Sequence, residues 1–266
     1  MAPHSFWKGY LKLSLVTCPV AMTPVVTESE KVRFHTLNRA TGHRIESRFV
    51  DAETGEPVEE EVEVKGYQRG ENDFVVLEDE ELEAVALEST RTIDIEMFVP
   101  SESVGWIWYD HPHYLTPDDP VGEEAFSVIR DAMTATGTVG ISRLVLYRRE
   151  RAVLLEPKGR GIVVWTLRYG DEVRDAEPYF ADLKAGKPDA KLMPLMKTLI
   201  EERVKPWSPE MASDPVQERL VEIIAAKKKG RKPPKAKPAA EKPDNVVSIM
   251  DALRRSIASE EKTKRR

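Results

Sequence analysis

Short runs in which apolar and polar residues alternate dominate the first two thirds of this chain. Leu11, Leu13 and Leu15 alternate with polar neighbours, and the ranges 32–36 and 93–97 repeat the same period of two. This period is typical of half-buried β-strands, because successive side chains point to opposite faces of a sheet. Further strands are expected at 44–50, 74–77, 104–109, 139–147, 152–156 and 162–168. Many short strands at irregular spacing predict an antiparallel barrel or sandwich rather than βαβ units.

Helical periodicity is found in fewer segments. The range 78–85 is a short acidic candidate. The range 121–136 is predicted to bury Ala125, Val128, Ile129 and Met133 at helical spacing, before Gly137, a typical stop signal. Two further helices are predicted after the β region. Their apolar faces are formed by Leu192, Leu195, Met196, Leu199 and Ile200, and by Val216, Leu220, Ile223 and Ile224.

The composition changes sharply after Lys229. The range 230–243 contains Lys, Pro, Ala and Gly but no large apolar residue, so it predicts an extended linker without a core. Beyond it, one stripe of an amphipathic helix is indicated, with Asn245 as a plausible N-cap. The stripe consists of Val246, Ile249, Met250, Leu253 and Ile257. A short helix beyond a linker has no core of its own to pack on, so it is interpreted as a docking peptide.

Several protein classes are excluded by what the sequence lacks. No run of 18 apolar residues is present, so no membrane span is expected, and the first residues do not resemble a secretory signal. Cys18 is the single cysteine, so it forms no internal disulfide. These features predict a cytoplasmic protein.

No catalytic motif is present. There is no phosphate-binding glycine loop, and His111 and His113 flank a proline without other ligand types nearby, which favours a turn or strand end over a metal site. The carboxylates come in runs at 51–63 and 78–83, a pattern typical of solvated surfaces. The sequence therefore predicts neither an enzyme nor a bound metal or cofactor.

The net charge of −6 hides a strong asymmetry. Residues 227–266 contain fourteen basic and five acidic residues, a net charge of +9, whereas residues 1–226 carry −15. A basic tail on an acidic body indicates a polyanionic partner. The first basic cluster of this tail, a candidate DNA contact, consists of Lys227, Lys228, Lys229, Arg231 and Lys232.

Two strand-rich segments of the body are also basic. The range 31–49 has a net charge of +4 and the range 139–168 one of +5, with more Arg than Lys. Arginine suits phosphate contacts, so these segments are candidates for binding a nucleic-acid backbone. The alternative, that they form ion pairs with the acidic runs across a sheet, remains open at this point.

A long series of short motifs resembles the bacterial Ku proteins. It begins with Phe6-Trp7-Lys8-Gly9-Tyr10-Leu11-Lys12-Leu13, and Phe34-His35-Thr36-Leu37, Gly55-Glu56-Pro57-Val58 and Val64-Lys65-Gly66-Tyr67 follow in order. Val76-Leu77-Glu78-Asp79, Thr92-Ile93-Asp94-Ile95 and Thr166-Leu167-Arg168-Tyr169 continue it. No single motif is decisive, but their common order from residue 6 to about residue 174 makes coincidence a poor explanation.

The resemblance implies a mixed β fold with helices: a β-barrel core with extended arms that form a ring as a homodimer, followed by C-terminal helices and a basic flexible tail. The ring of such proteins threads onto double-stranded DNA ends without sequence specificity, has no catalytic activity, and recruits a multifunctional DNA ligase in non-homologous end joining. The implied location is the bacterial cytoplasm, at the nucleoid. Many relatives carry metal-spaced cysteines in the stretch corresponding to 41–57, but this chain has none, so zinc is not expected.

The corresponding domain boundaries are 1–178 for the barrel and arms, 179–228 for a helical arm, 229–244 for the basic linker, and 245–266 for the docking helix and tail. The acidic runs are expected on the outside of the ring. The candidate lining residues are Lys31, Arg33, Arg39, Arg44, Arg48, Arg143, Arg148 and Arg149. The candidate ligase-docking residues are Val246, Ile249, Met250, Leu253, Arg254 and Ile257. The alternative function is an acidic β-domain scaffold dimer whose basic tail binds nucleic acid without regard to ends.

Overall fold

The structure is a computed structural model that describes residues 5–29, 31–71, 73–84, 91–146, 149–183, 186 and 192–232. The chain divides into two compact units. Unit 1 comprises Met1–Glu30 and His35–Asp175, and unit 2 comprises Lys31–Phe34 and Ala176–Arg266.

The described residues of unit 1 contain ten β-strands. They are β1 (Trp7–Leu13), β2 (Val16–Pro24), β3 (Lys65–Gly70), β4 (Asp73–Leu77), β5 (Thr92–Asp94), β6 (Met97–Pro100), β7 (Tyr109–Pro117), β8 (Thr138–Leu146), β9 (Arg149–Lys158) and β10 (Gly161–Leu167). Two α-helices accompany them, α1 (Asp79–Ala84) and α2 (Pro120–Thr136).

Eight of these strands form one sheet that closes on itself. The strand order is β5-β1-β2-β7-β10-β9-β8-β6, and every pairing is antiparallel except that of β1 with β5. The two end strands, β5 and β6, belong to one short segment of chain. Between them, the Ile95 amide donates to the Lys12 carbonyl at 2.9 Å and the Glu96 amide donates to the Ile141 carbonyl at 2.9 Å. The sheet is therefore curled into a barrel without a free edge at this seam, one of the two architectures, barrel or sandwich, that the sequence pattern left open.

The inward faces of the strands and helix α2 share one core. Leu11, Met22, Leu115, Leu155 and Ile162 are fully or almost fully buried at alternating positions of their strands. Helix α2 adds Phe126, Ile129 and Met133 to the same cluster. The sequence had predicted a buried face of Ala125, Val128, Ile129 and Met133; Ile129 and Met133 are buried, but Val128 is 63% exposed and Phe126 is buried instead.

Helix α2 has well-defined ends. The Asp119 carboxylate accepts a hydrogen bond from the Gly122 amide at 2.7 Å, and Gly137 ends the helix with a φ of 63°. Both features are typical helix boundaries, because the Asp side chain satisfies a free amide and glycine tolerates the left-handed conformation.

Three of the predicted strands are wrong. The ranges 32–36 and 44–50 form no strand; isolated bridges join Leu37 to Arg44 and Val50 to Pro57 instead. Within the range 104–109, Trp106–Trp108 form a 3₁₀ turn and only Tyr109 belongs to a strand, the first residue of β7. Alternation favours an extended backbone, but a strand also needs a neighbouring backbone for its hydrogen bonds.

Residues 35–84 of unit 1, termed the arm, form no core of their own. None of the described arm residues is buried. The arm contains a 3₁₀ turn (Glu60–Val62), the β3–β4 hairpin and helix α1. Its large apolar side chains are exposed, with Phe49 at 73% and Tyr67 at 69%. A lone two-stranded hairpin is marginally stable in water, so this segment is suited to bury its apolar surface against a partner.

Unit 2 is helical. Its described helices are α3 (Glu177–Phe180), α4 (Leu192–Arg203) and α5 (Pro215–Lys228), with a 3₁₀ turn at Pro209–Ala212. The Val32 amide donates to the Gln217 side chain at 3.1 Å, which attaches the 31–34 segment to α5. Leu199 is the buried apolar residue of α4, whereas Met196, Ile200 and Trp207 are exposed. In the residues that the structure describes, no helix is long and apolar enough to cross a bilayer.

Candidate nucleic-acid interface

The first basic segment is divided between the two units. Lys31 and Arg33 lie in the short segment of unit 2, whereas Arg39, Arg44 and Arg48 lie in the arm. All five side chains are exposed to solvent. The charge pattern treated 31–49 as one segment and did not reveal that it belongs to two units.

A tight turn orients the arginines of the arm. The Asn38 side chain accepts hydrogen bonds from the Ala40 amide at 2.9 Å and from the Thr41 amide at 3.4 Å, and Gly42 has a φ of 73°. The Asn38 amide also donates to the His43 carbonyl at 2.8 Å. Arg39 lies in this turn and Arg44 follows it directly. The turn therefore gives two cationic side chains a defined starting point on the protein surface.

The same turn occurs a second time, thirteen residues later. The Asp51 side chain accepts from the Glu53 amide at 2.8 Å and from the Thr54 amide at 2.9 Å, and Gly55 has a φ of 72°. These amides hold the pKa of the Asp51 carboxyl below its usual value. The shared spacing Asx-x-x-Thr-Gly, at 38–42 and 51–55, is visible in the sequence and could have revealed the repeat.

Most of the candidate arginines have no internal partner. Within the part of the chain that the structure describes, Arg33, Arg39, Arg44, Arg48 and Arg149 form no ion pair or hydrogen bond through their side chains. Their charges are thus available to an external anion. Guanidinium groups can bind phosphate oxygens in a bidentate manner.

The second basic segment lies on the barrel. Arg143 of β8 contacts Glu150 of the neighbouring strand β9, with Nη1 and Oε2 at 3.1 Å, so its charge is partly compensated. Arg149 begins β9 and is exposed. Arg148 lies outside the described residues.

Arg168 of the second basic segment and Arg130 of α2 have structural roles. Arg168 donates to the carbonyl groups of Ile107 and Tyr109, and Arg130 donates to the Arg160 carbonyl at 2.7 Å. These arginines fix loops at the two ends of β10. They are poor candidates for DNA contact, which sequence counting could not show.

Two ion pairs in the described part of the chain do not link a basic segment to an acidic run. Asp79 of the second acidic run lies 3.7 Å from Lys65, which belongs to neither basic segment. Arg143 is paired within its own hairpin. These contacts favour the phosphate-binding interpretation over mutual neutralisation.

The basic cluster after α5 is only partly in a helix. Lys227 and Lys228 end α5, where positive charge interacts favourably with the helix dipole. The Arg231 amide donates to the Ala226 carbonyl at 2.9 Å. Lys227, Lys228, Lys229, Arg231 and Lys232 are all exposed. The docking residues Val246, Ile249, Met250, Leu253, Arg254 and Ile257 lie outside the described residues.

The remaining reactive side chains form no evident chemical site. In the described ranges, no group of three His, Cys, Asp or Glu residues is placed to hold a metal. Cys18 is buried, and burial together with the Asp119 charge raises the pKa of its thiol. His113, inside β7, is also buried, and burial lowers the pKa of its imidazole.

Comparison with known proteins points to one family. The family described as "Ku70/Ku80 beta-barrel domain" matches residues 12–195, more than half of the chain. A non-homologous end joining protein Ku from Methylocella silvestris is 65% identical over 97% of this chain and 96% of its own. Proteins of the same name from Allorhizobium ampelinum and Archaeoglobus fulgidus are 57% and 34% identical. These alignments cover 100% and 94% of this chain, and 99% and 97% of the relatives.

Proposed function

Since the chain belongs to the Ku family of end-joining proteins, we propose that it binds double-stranded DNA ends, without sequence specificity, as a homodimeric ring. The relatives are named for non-homologous end joining, and those names include no catalytic activity. The proposed role is accordingly that of a DNA-binding scaffold in double-strand break repair, at the bacterial nucleoid.

The observation that carries this proposal is the exposed arm. It presents Leu37, Ile45, Phe49, Tyr67 and Phe74 to solvent. It also presents three arginines without internal partners. Apolar surface of this extent is typical of a protein interface, and a second copy of the chain offers the same unburied arm and helices. Dimerisation would bury the apolar residues and leave the arginines to face a shared channel.

A closed ring explains binding to ends without reading bases. Duplex DNA carries one charge per about 1.7 Å of its length, and cationic side chains that contact phosphates release counterions. The contacts proposed for Arg33, Arg39, Arg44, Arg48 and Arg149 are of this kind, as are those for Lys31, Arg143 and Arg148. They would hold any sequence, and only an end admits the ring.

The acidic runs complete this arrangement. The ranges 51–63 and 78–83 contain twelve acidic residues within the arm. Placed on the outer surface of the ring, they would repel DNA that approaches from the side. The basic minority would then determine where DNA binds, although the net charge of the chain is negative.

The C-terminal region is proposed to recruit a multifunctional DNA ligase. The apolar stripe at 246–257 suits an amphipathic helix that binds in a groove of its partner, with Arg254 beside it. The basic linker at 229–244 and the lysines before it would add an electrostatic contact with DNA. The proposed domains are accordingly the barrel with its arm, the helical arm, this linker and the docking tail.

The test of the ring compares a linear duplex with a covalently closed circle of the same sequence. The linear duplex should bind and compete for the protein. The closed circle should not load, because it has no end over which the protein ring can pass. Equal affinity for both would favour the alternative, a scaffold dimer whose basic tail binds nucleic acid along its length. Light scattering on the same sample should give the mass of a dimer.

The test of ligase recruitment is a truncation after Lys242. The truncated chain should bind DNA ends but lose the stimulation of its ligase, because the docking helix has been removed. A matched full-length variant, in which Ile249 and Leu253 are changed to Ser, should behave in the same way. Full stimulation by either protein would refute the docking role.

A further inference from the structure

A cavity of about 360 Å³ opens at one end of the barrel. Five strands contribute to its wall, through Pro24, His113, Leu146, Arg151 and Thr166. Helix α2 follows the last residue of β7, whereas the cavity lies at the first residues of that strand, so the two are at opposite ends of the barrel. The cavity therefore occupies the end that α2 does not fill.

The strand periodicity shows that the cavity is part of the barrel interior. Pro24 continues the inward-facing series of Val20 and Met22, and Thr166 continues that of Ile162 and Val164. Arg151 continues the series of Val153 and Leu155 in the same way. Where the other layers of the barrel contain apolar side chains, this last layer contains an arginine and a histidine.

His113 presents an unsatisfied nitrogen at this site. The residue is 7% exposed, and its Nδ1 has no hydrogen-bond partner within the described residues. The Phe6 ring packs against the imidazole with centroids 5.3 Å apart, which restricts its orientation. Buried polar atoms nearly always have a partner, so the unpaired nitrogen marks His113 as an unusual, polar residue in the cavity wall.

Arg151 has hydrogen-bond donors to spare. Its side chain is 26% exposed, and its guanidinium lies 5.4 Å from the centre of the Tyr169 ring, which holds it in place. Its Nη1 is 3.6 Å from an Asp110 oxygen, too far for a hydrogen bond. Among the described residues its N–H groups find no hydrogen-bond acceptor. The guanidinium is thus oriented but not satisfied.

The Asp110 carboxylate is compensated on two sides. Besides Arg151, it contacts His111, whose Nδ1 lies 2.8 Å from Oδ2 and whose side chain is 75% exposed. This contact leaves the Nε2 of His111 free to point elsewhere. Because the Asp110 carboxylate is shared between His111 and Arg151, part of the Arg151 positive charge is left to attract an anionic ligand.

Apart from Thr166, the rest of the wall is apolar. Pro24, Val26, Pro112 and Leu146 form it. The cavity volume lies in the range of about 300–1,000 Å³ that is typical of small-molecule sites, so an inorganic phosphate alone would leave most of it empty. The wall requires a ligand with an anionic group and a flat, weakly polar body.

We propose that this end of the barrel binds a mononucleotide unit, with its phosphate at Arg151 and its base against the proline and leucine side chains. The unit could come from a free nucleotide or from the unpaired terminal nucleotide of a DNA strand. The second source rests on the proposed function, because it requires that the protein meets DNA ends.

The experiment measures binding of deoxyadenosine 5′-monophosphate to the full-length chain by calorimetry. The nucleotide should bind saturably, and both deoxyadenosine and inorganic phosphate should bind more weakly. Arg151→Gln should weaken nucleotide binding at least about tenfold, because a charge-assisted contact is lost. Val26→Trp should weaken it similarly by filling the cavity, since Val26 is exposed and tolerates a larger side chain.

Arg160→Gln is the matched control. It removes an exposed arginine from the β9–β10 turn, at the other end of the strand that carries Arg151. This variant should bind the nucleotide as the wild type does. Absence of saturable binding to the wild type would overturn the proposal, as would an unchanged, wild-type affinity of the Arg151 or the Val26 variant.

DNA ends distinguish the two sources. If the terminal nucleotide is the ligand, the wild type should bind a duplex with an unpaired 5′-phosphorylated overhang more tightly than a blunt duplex. Arg151→Gln should then bind both duplexes equally. Equal binding of both duplexes, together with saturable nucleotide binding, would identify the free nucleotide. Failure of nucleotide binding with intact blunt-end binding would refute this site alone, whereas failure of blunt-end binding would refute the proposed function.

Discussion

Neutralising Arg44 and Arg48 together tests the proposed DNA contact most directly. Both side chains are exposed, and neither forms an ion pair or hydrogen bond within the described residues. The bridge to Leu37 uses the backbone of Arg44 rather than its guanidinium. Arg44→Gln with Arg48→Gln should therefore remove charge without lowering the free energy of unfolding.

The magnitude follows from counterion release. A homodimer carries each arginine twice, so the double variant loses four cations, and each lost phosphate contact lowers the salt slope of log K by about 0.9. If all four contact phosphate, the slope decreases by about 3.6, and the affinity at about 0.15 M salt falls roughly 1,000-fold. If one copy contacts the DNA, the corresponding values are about 1.8 and roughly 30-fold.

The assay is equilibrium binding of a fluorescent blunt duplex at a series of salt concentrations. A matched control is Lys65→Gln with Arg69→Gln, on the β3–β4 hairpin of the same arm. These bases lie 3.7 Å from Asp79 and 2.8 Å from Asp73, so their charges are already compensated. This control variant removes the same positive charge as the Arg44 and Arg48 double variant. Equal slopes and affinities for the two double variants, both folded and dimeric, would refute the assignment of Arg44 and Arg48.

Three further predictions concern stability. Phe126→Ala should lower the free energy of unfolding by about 3–5 kcal/mol in denaturant titrations, because it empties a buried site between α2 and the barrel; a loss under about 1 kcal/mol would contradict that packing. Asp119→Ala should cost about 1 kcal/mol in the same measurement by removing the cap of α2, and Asp119→Asn, which can still accept the hydrogen bond, should restore most of it. Burial lowers the pKa of His113, so at acidic pH the unfolded chain binds a proton that the folded chain does not. The free energy of unfolding should therefore fall as the pH drops below about 6.5, and above that pH His113 should make no pH-dependent contribution to it. The wild type should lose more stability than His113→Gln between about pH 7.5 and 5.5; parallel pH profiles would show that His113 is not the responsible group.

The sequence predicted the elements that depend on local pattern. The strands around Leu11, Ile93, Leu144 and Val164 and the helix that contains Phe126 were all expected from periodicity. Their signals are strong because each buries one face in a continuous core, so the inward residues must be apolar. The family resemblance, which depends on the order of short motifs, was confirmed by the comparisons.

The same local reasoning was wrong at 32–36, 44–50 and 104–109. The ranges 32–36 and 44–50 form no ladder beyond isolated bridges at or next to their ends, and within 104–109 only Tyr109 belongs to a strand. Nor could charge counting distinguish Arg168, which donates to two carbonyl groups, from Arg149, whose side chain has no partner among the described residues. Partners of this kind are distant in sequence, and no local pattern identifies them.

By itself, the sequence thus determined the β-rich character of the chain, the position and ends of helix α2, and the two basic segments, because each follows from neighbouring residues. The tertiary structure decided three other features. It closed the barrel through the segment between β5 and β6, it separated occupied arginines from available ones, and it placed Arg151 and His113 around one cavity. All three depend on contacts between residues far apart in the chain, which form only when the sheet assembles.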